Sequence, residues 1–459
     1  MVTVIEFEFS VMRCQPLRRA LEFFLHFDDQ EQLMIVIRKK PEQIFTPKGK
    51  YVNEQMYIHR DELERAFIKA LRKPKHIIVH GESGCGKTWL YKKIFSERRI
   101  KYEVLNAATV NSTGSISEAI KALTARLSPF ENKSYEESKG ATANAGIAKG
   151  DLKHTKKYEA STPEPYLELV RLLFKNAGSD ESFLVVENLE HIVKDEKLVQ
   201  ELSSILMYLD DDEYAKYRVR ILLVGTPSNL RDYFSKIDSS QTIINRVQEV
   251  PEVSVLSTED VKVLAERGFV KLLKVKFLED KIRGFNKDYF FNALSWFSAN
   301  VPQYIHELGL ELAIEAENNN YIITNELYMT CLRNWVQEAL VSENARMEAH
   351  INSKATKHGR RNQVIFTIGR LPNNEFSVQD VEEQMRSLFP NSTKDKLLNV
   401  SANLNELASG DSPLIRKTPK GTRFRFLDPK IKIMARWMLD KDDSKETITV
   451  KTFDESIKF

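Results

Sequence analysis

Apolar residues along this chain follow two rhythms. Short, mostly apolar runs occupy residues 75–80, 182–187 and 219–225, each closed by a polar residue or glycine. Runs of that length read as strands buried on both faces. Residues 101–106 read as a further strand and 246–253 as a weaker one. Between them, apolar residues recur at spacings of three and four over 63–71, 115–127, 165–174 and 198–209, which predicts helices; Ser115 stands where a cap belongs. Strands alternating with helices predict a parallel sheet covered on both sides, an α/β fold. Residues 136–158 carry Gly, Ala and Lys with no lasting period and are expected to be an inserted surface hairpin or loop.

After Ser257 the strand rhythm fades. Residues 258–274, 289–297, 301–317 and 324–340 all have helical spacing, with Ser257 or Thr258 and then Thr324 at cap positions. Residues 341–361 are polar and charged and are expected to connect two domains. Three helices over 362–371, 377–388 and 392–408 then precede two short strands around a Pro-Lys-Gly turn, and 431–438 is helical again. Three helices followed by a hairpin is the plan of a winged helix. The expected organisation is an N-terminal extension (1–50), a nucleotide-binding α/β domain (51–255), a helical subdomain (256–340), the connection (341–361), the winged-helix domain (362–440) and a tail (441–459). Residues 1–27 are apolar in pieces but broken by Arg13, Arg18, Arg19 and Glu22; they read either as a small strand and helix or as an over-extended start ahead of Met34.

The chemistry enters between the first strand and the next helix. Gly81, Glu82, Ser83, Gly84, Cys85, Gly86, Lys87 and Thr88 fit the phosphate-binding template G-x-x-x-x-G-K-[ST] without a mismatch. Glycines let backbone N–H groups turn inward around phosphates, and the helix that follows adds the positive end of its dipole. Lys87 is placed to reach the β- and γ-phosphates and Thr88 to hold Mg²⁺. The bland alternative is a tight glycine turn. Glu187, at the mouth of a buried strand, is the acid that would hold Mg²⁺ of ATP beside Thr88; otherwise it is a surface acid at a strand end. Asn188 follows where a second acid often orients the attacking water. An amide holds water but takes no proton, so slow turnover is expected. Glu190, three residues beyond Glu187, reads first as a solvated acid; the alternative is approach to the same face as Glu187 if the chain turns helical there. Thr226 is either a contact for the γ-phosphate or lytic water, or a turn residue before Pro227. Arg246 is either an arginine acting on a neighbouring subunit's ATP or a plain surface arginine.

Composition narrows the picture only a little. The 459 residues are 42% hydrophobic and 29% charged with a net charge of +3, as for a globular protein of two or three domains. The three cysteines, Cys14, Cys85 and Cys331, are far apart and form no C-x-x-C pair, so neither a zinc ribbon nor a disulfide framework is implied and a reducing, cytoplasmic setting is expected. There is no apolar run of about 18 residues to span a membrane. No H-E-x-x-H motif or nucleophile elbow supports a second enzyme. Charge is local instead. Residues 391–436 hold ten Lys/Arg against four Asp/Glu. Arg416, Lys417, Lys420, Arg423 and Arg425 lie on the hairpin, and Lys394 and Lys396 begin the candidate recognition helix. Such a helix would enter the major groove of duplex DNA while the hairpin touched phosphate. Asn399, Ser401, Asn403 and Asn405 are the candidates for base edges. The alternative is a docking module with a solvated basic hairpin. Phe424 and Phe426 alternate with arginines, as the inward face of a half-buried strand requires.

Taken in order, these segments resemble a known family. Residues 57–63 resemble the hydrophobic–G-R-x-x-E entry motif of initiator-type AAA+ ATPases and related signalling NTPases, with His59 where glycine is usual and Leu63 where the glutamate falls between Glu62 and Glu64. The phosphate loop, residues 185–190 and residues 222–226 follow in the family's order. Residues 301–308 resemble its lid, and the terminal module resembles its winged helix. The chain looks like the origin-recognition and transposition group of AAA+ ATPases over about residues 50–440. The resemblance implies ATP and Mg²⁺ as ligands, a lid closing over the nucleotide, homo-oligomers or partner proteins, and DNA as target. A signalling or defence NTPase whose winged helix docks a protein is the alternative. The lid arginine of such proteins is matched here by Gln303, which, like Asn188, implies slow hydrolysis.

Overall fold

A computed structural model describes residues 38–127, 164–178, 180–225, 240–352, 359–418 and 421–451. The expectations for residues 1–27 and 136–158, for Thr226 and for Lys420 lie outside these residues.

Five strands form one parallel sheet: β1 (His76–His80), β2 (Lys101–Asn106), β3 (Ser182–Glu187), β4 (Val219–Gly225) and β5 (Val247–Glu249), in the order β2-β3-β4-β1-β5. The continuous apolar runs are explained by what lies on each face. Ile78, Leu184, Val186, Ile221 and Leu223 join a core on one side, with the helices Ile116–Leu127, Pro165–Asn176 and Glu196–Met207. Ile77, Val79, Phe183, Val185, Leu222 and Val224 join a second core on the other side, with the helices Asp61–Leu71 and Lys87–Glu97. Successive side chains point to opposite faces, so a strand covered on both is apolar on both through its middle. In a parallel sheet all C-terminal strand ends share one edge. That edge brings together Gly81 after β1, Glu187 ending β3 and Gly225 ending β4; Gly81 N–H donates to Gly225 O at 3.3 Å.

The helices Thr258–Ala265, Lys287–Phe297, Pro302–Asn318 and Asn325–Ala339 follow, with a π-helical stretch at Glu266–Leu272 and two short parallel strands, β6 (Lys276–Phe277) and β7 (Ile322–Ile323). Ser257 caps the first of these helices in a reciprocal box with Asp260.

Two expectations about the C-terminal third are corrected. Within the expected connection, Val341–His350 is a helix; Leu340 and Met347, seven residues apart, are both fully buried and the helix packs on Pro429–Met438. The lid helices and the C-terminal helices therefore share one continuous core. The expected helix over 392–408 is interrupted as well. Pro390–Thr393 is a single turn, and the helix proper is Val400–Leu407. Asp395 (φ 53) and Asn399 (φ 50) adopt left-handed backbone, which short polar side chains tolerate, so Lys394 and Lys396 lie in a loop before the helix and do not begin it. Arg360–Arg370 and Val378–Leu388 are helices as expected. Strands β8 (Glu375–Phe376), β9 (Ile415–Lys417) and β10 (Phe424–Phe426) make an antiparallel sheet in the order β8-β10-β9. In the expected tail, β11 (Leu439–Asp442) and β12 (Thr447–Val450) form a hairpin, tied down by Glu446, which accepts N–H bonds from Asn391 and Ser392 at 3.0 and 2.7 Å.

Candidate functional site: the phosphate loop and its surroundings

Gly86 takes a left-handed φ of 94° at the start of the helix Lys87–Glu97, which releases the chain from loop to helix where only glycine adopts the angle without strain. Lys87 Nζ curls back to donate to Gly81 O at 2.9 Å and Glu82 O at 2.8 Å. Burial lowers its pKa, while Cys85, Glu190, Glu82 and Glu187 act to raise it. Thr88 Oγ1 donates to Glu187 Oε1 at 2.9 Å, and Tyr91 OH donates to the same oxygen at 3.1 Å. The two candidate Mg²⁺ ligands are thus adjacent, one hydroxyl and one carboxylate, an oxygen pair that suits a hard cation keeping most of its water. Among the described residues no group of three or more His, Cys, Asp and Glu forms a protein-only metal cage. Burial pushes the Cys85 thiol up to about 11, so it is an inert part of the loop rather than a nucleophile.

A cavity of about 360 Å³ opens above the loop. Lys87, Thr88, Glu187, Asn188 and Glu190 line it from the sheet side, Pro302, Gln303 and His306 from the lid, and residues 46–49 from the N-terminal side. An adjoining apolar niche beside Gly86 is lined by Tyr57, Ile58, Trp89, Leu256 and His306. Sequence reading missed Trp89, His306 and residues 46–49, since no local spacing marks them. His306 sits on the lid helix with its Nδ1 accepting the Thr46 N–H at 3.0 Å, and burial holds its pKa down at about 4.

The acids are rearranged relative to expectation. Asn188 has left-handed backbone (φ 59) and its amide donates to Asn106 Oδ1 at 2.8 Å, which ties it to the end of β2. Glu190, read from the sequence as a solvated acid, is half-buried in the 3₁₀ turn Leu189–His191 and lies close enough to Lys87 to act on its charge. The entry motif is also completed by a neighbour. Glu64 accepts from Arg60 N–H and Tyr57 OH, each at 3.0 Å, so it supplies the carboxylate missing at Leu63. Arg60 spans to the loop, donating to Cys85 O and Ser254 O, both at 2.8 Å.

The lid lies on the loop. Gln303 N–H donates to Gly84 O at 3.1 Å, and Gln303 Nε2 turns to Glu307 Oε1 at 2.8 Å, so this lid position contributes no cation. Arg246 ends the helix Ser240–Arg246 and pairs with Asp210 at 2.5 Å; its charge reaches His76 at the start of β1, the end of the sheet away from the loop. Arg246 therefore does not serve the cavity of its own chain.

Residues 70–234 match the family model described as AAA domain. Over this segment the chain is similar to AAA domains. The parallel five-stranded sheet flanked by helices matches the P-loop AAA+ fold. No curated protein matches the chain. Solved structures similar to it include the Walker-type ATPase paby2304 of Pyrococcus abyssi, at 16% identity and TM-score 0.47, covering 83% of this chain and 96% of that one. Cdc6p from Pyrobaculum aerophilum is similar at 15% identity and TM-score 0.42, over 86% and 96%. The Aeropyrum pernix ORC1 protein, solved in complex with DNA, is similar at 12% identity and TM-score 0.41, over 86% and 95%. Among the described residues no helix is long and apolar enough to cross a membrane.

Proposed function

We propose that the chain is an ATP-binding switch of the AAA+ class that hydrolyses its nucleotide slowly. The observation that carries this reading is the meeting of Lys87, Thr88 and Glu187 at one edge of the sheet, with Thr88 and Glu187 in direct contact at 2.9 Å. Backbone N–H groups of residues 84–88 and the N-terminus of the helix Lys87–Glu97 would cradle the phosphates. Lys87 would leave the carbonyls of Gly81 and Glu82 for the β- and γ-oxygens, and Thr88 and Glu187 would hold Mg²⁺, whose charge offsets that on the phosphates. The apolar niche at Tyr57, Ile58 and Trp89 suits a base. Glu190 is the carboxylate that would orient an attacking water, because it lies close enough to Lys87 to act on its charge while the Asn188 amide donates to Asn106. Lid closure and an oligomer favoured by ATP would be the output. Lys87→Ala should abolish ATP binding, and Glu187→Gln should keep binding but lose Mg²⁺-dependent turnover; unchanged ATPase activity in both variants defeats the assignment.

For the C-terminal module, the helices Arg360–Arg370, Val378–Leu388 and Val400–Leu407 with the three-stranded sheet support a winged helix. Ser401, Ala402 and Asn405 are exposed on Val400–Leu407, and Lys394, Lys396 and Lys417 are exposed nearby, as duplex DNA binding requires. The reading as a docking module is favoured by another observation. Arg416, Arg423 and Arg425 are all engaged in ion pairs inside the chain. Anisotropy titration with duplex DNA across a salt series separates the two: DNA contact must weaken steeply as salt rises.

A further inference from the structure

Strand register poses a problem that only the tertiary structure resolves. Arg416 on β9 and Arg425 on β10 are direct cross-strand partners. Like charges in that position repel, so an anion is needed between them. The anion is Glu82, the second residue of the phosphate loop. Its Oε1 accepts from Arg416 Nη2 at 3.0 Å and lies 3.3 Å from Arg425 Nη1, while Arg425 Nη2 donates to Glu252 Oε1 at 2.9 Å. Glu82 and Arg425 are each only 8% exposed. The main-chain carbonyl of the same Glu82 receives Lys87 Nζ at 2.8 Å. One loop residue thus meets the nucleotide lysine with its backbone and the C-terminal hairpin with its side chain. An acid at this place is unhelpful by itself, because a buried carboxylate beside a triphosphate repels it in a medium that screens poorly.

We propose that Arg425, with Arg416 opposite it, is a positioning residue of the nucleotide site: the pair neutralises Glu82 inside the phosphate loop so that the loop accepts a triphosphate. The inference rests on the ATP-site reading above and extends it across domains. It also withdraws these two guanidinia from nucleic acid, because Glu82 and Glu252 occupy them.

The test is titration of the purified full-length chain with a fluorescent ATP analogue and Mg²⁺. Arg425→Ala should weaken binding on the order of tenfold, the scale of coupling between linked sites. Adding Glu82→Gln to Arg425→Ala should restore most of the affinity, because the stranded charge is gone; loss of packing alone gives no such rescue. Arg425→Lys should lie between wild type and alanine. An Arg425→Ala variant that binds like wild type, or a loss that Glu82→Gln leaves in place, overturns the proposal. If Arg425→Ala fails to fold, hydrogen exchange on the unmodified chain decides. ATP should then slow exchange at residues 415–417 and 424–426, and should not do so in Lys87→Ala; equal exchange with and without ATP overturns it. Wild type binding ATP, Lys87→Ala not binding and Arg425→Ala unchanged would sink this inference alone. No binding by wild type would sink the site reading and this with it.

Discussion

Acidification should unfold the nucleotide domain from the strand that carries its phosphate loop. His76 opens β1 and is fully buried. Its Nδ1 accepts the Ile221 N–H at 2.9 Å, so its proton is on Nε2, 3.2 Å from Leu206 O. Protonating Nδ1 would set two N–H groups against each other. Burial is the largest cause of a pKa lowered from 6.5 to about 3, with Arg220 and Arg246 adding repulsion. The native state thus refuses a proton that the unfolded chain accepts below pH 6.5, so stability is full above that pH, falls as pH drops towards 3, and levels off beneath it. Between pH 7 and pH 5 the loss is about 2 kcal/mol, and the full span approaches about 5 kcal/mol at roughly 1.36 kcal/mol per unit. His306, held at about 4 by burial, adds a similar loss in the lid core. Urea unfolding followed by far-ultraviolet circular dichroism at pH 7, 6 and 5 measures the slope. His76→Asn keeps an acceptor near Nδ1 but cannot titrate. It should cost stability at pH 7 and then lose less on going to pH 5. Equal pH slopes for wild type and His76→Asn would refute the reasoning.

Three other outcomes follow from the structure. A Cβ on Gly84 would stand 2.9 Å from Val301 Cγ1 and 3.0 Å from Gln303 Cβ at a φ of +78°. Gly84→Ala should therefore push the lid off the loop and weaken ATP binding by about tenfold, or about 1.4 kcal/mol, read by nucleotide titration; wild-type affinity would show that the lid does not rest there. Because Asn188 is bound to Asn106, Asn188→Asp should leave turnover nearly unchanged, whereas Glu190→Gln should lower single-turnover hydrolysis by about 10²-fold; the reverse ranking would return the water-orienting role to position 188. Arg220, 4% exposed, pairs with Glu181 at 2.6 Å and donates to Leu71 O at 2.7 Å and Lys75 O at 3.1 Å. Arg220→Met should cost about 2–4 kcal/mol in urea unfolding, since it strands those carbonyls; a cost under about 1 kcal/mol would mean water replaces the guanidinium.

Local chemistry made much of this architecture legible. The loop 81–88 is contiguous, so its template carries its own geometry. The strands β1, β3 and β4 are apolar through their middles because both faces are covered, and that pattern survives without knowing the neighbours. The helix at Val341–His350 was hidden because, of its own apolar side chains, Met347 reaches the core while Val341 stays exposed, too little to set a period. The break before Val400–Leu407 was hidden because left-handed Asp395 and Asn399 leave no signal beyond their tolerance for that angle.

What the sequence by itself determined was the phosphate loop, the order of strands and helices, and the placement of Glu187 at a strand mouth. Each depends on residues within a few positions of one another, where backbone geometry and burial periodicity act. Only the tertiary structure decided which groups meet: Glu190 near Lys87, Asn188 on Asn106, Glu64 in place of Leu63, Arg246 turned to Asp210, and Arg416 and Arg425 on Glu82. Coulomb partners are chosen by proximity in space, and residues 82 and 416, 334 apart in sequence, carry no mark that they will meet until the lid and the C-terminal helices close over one core.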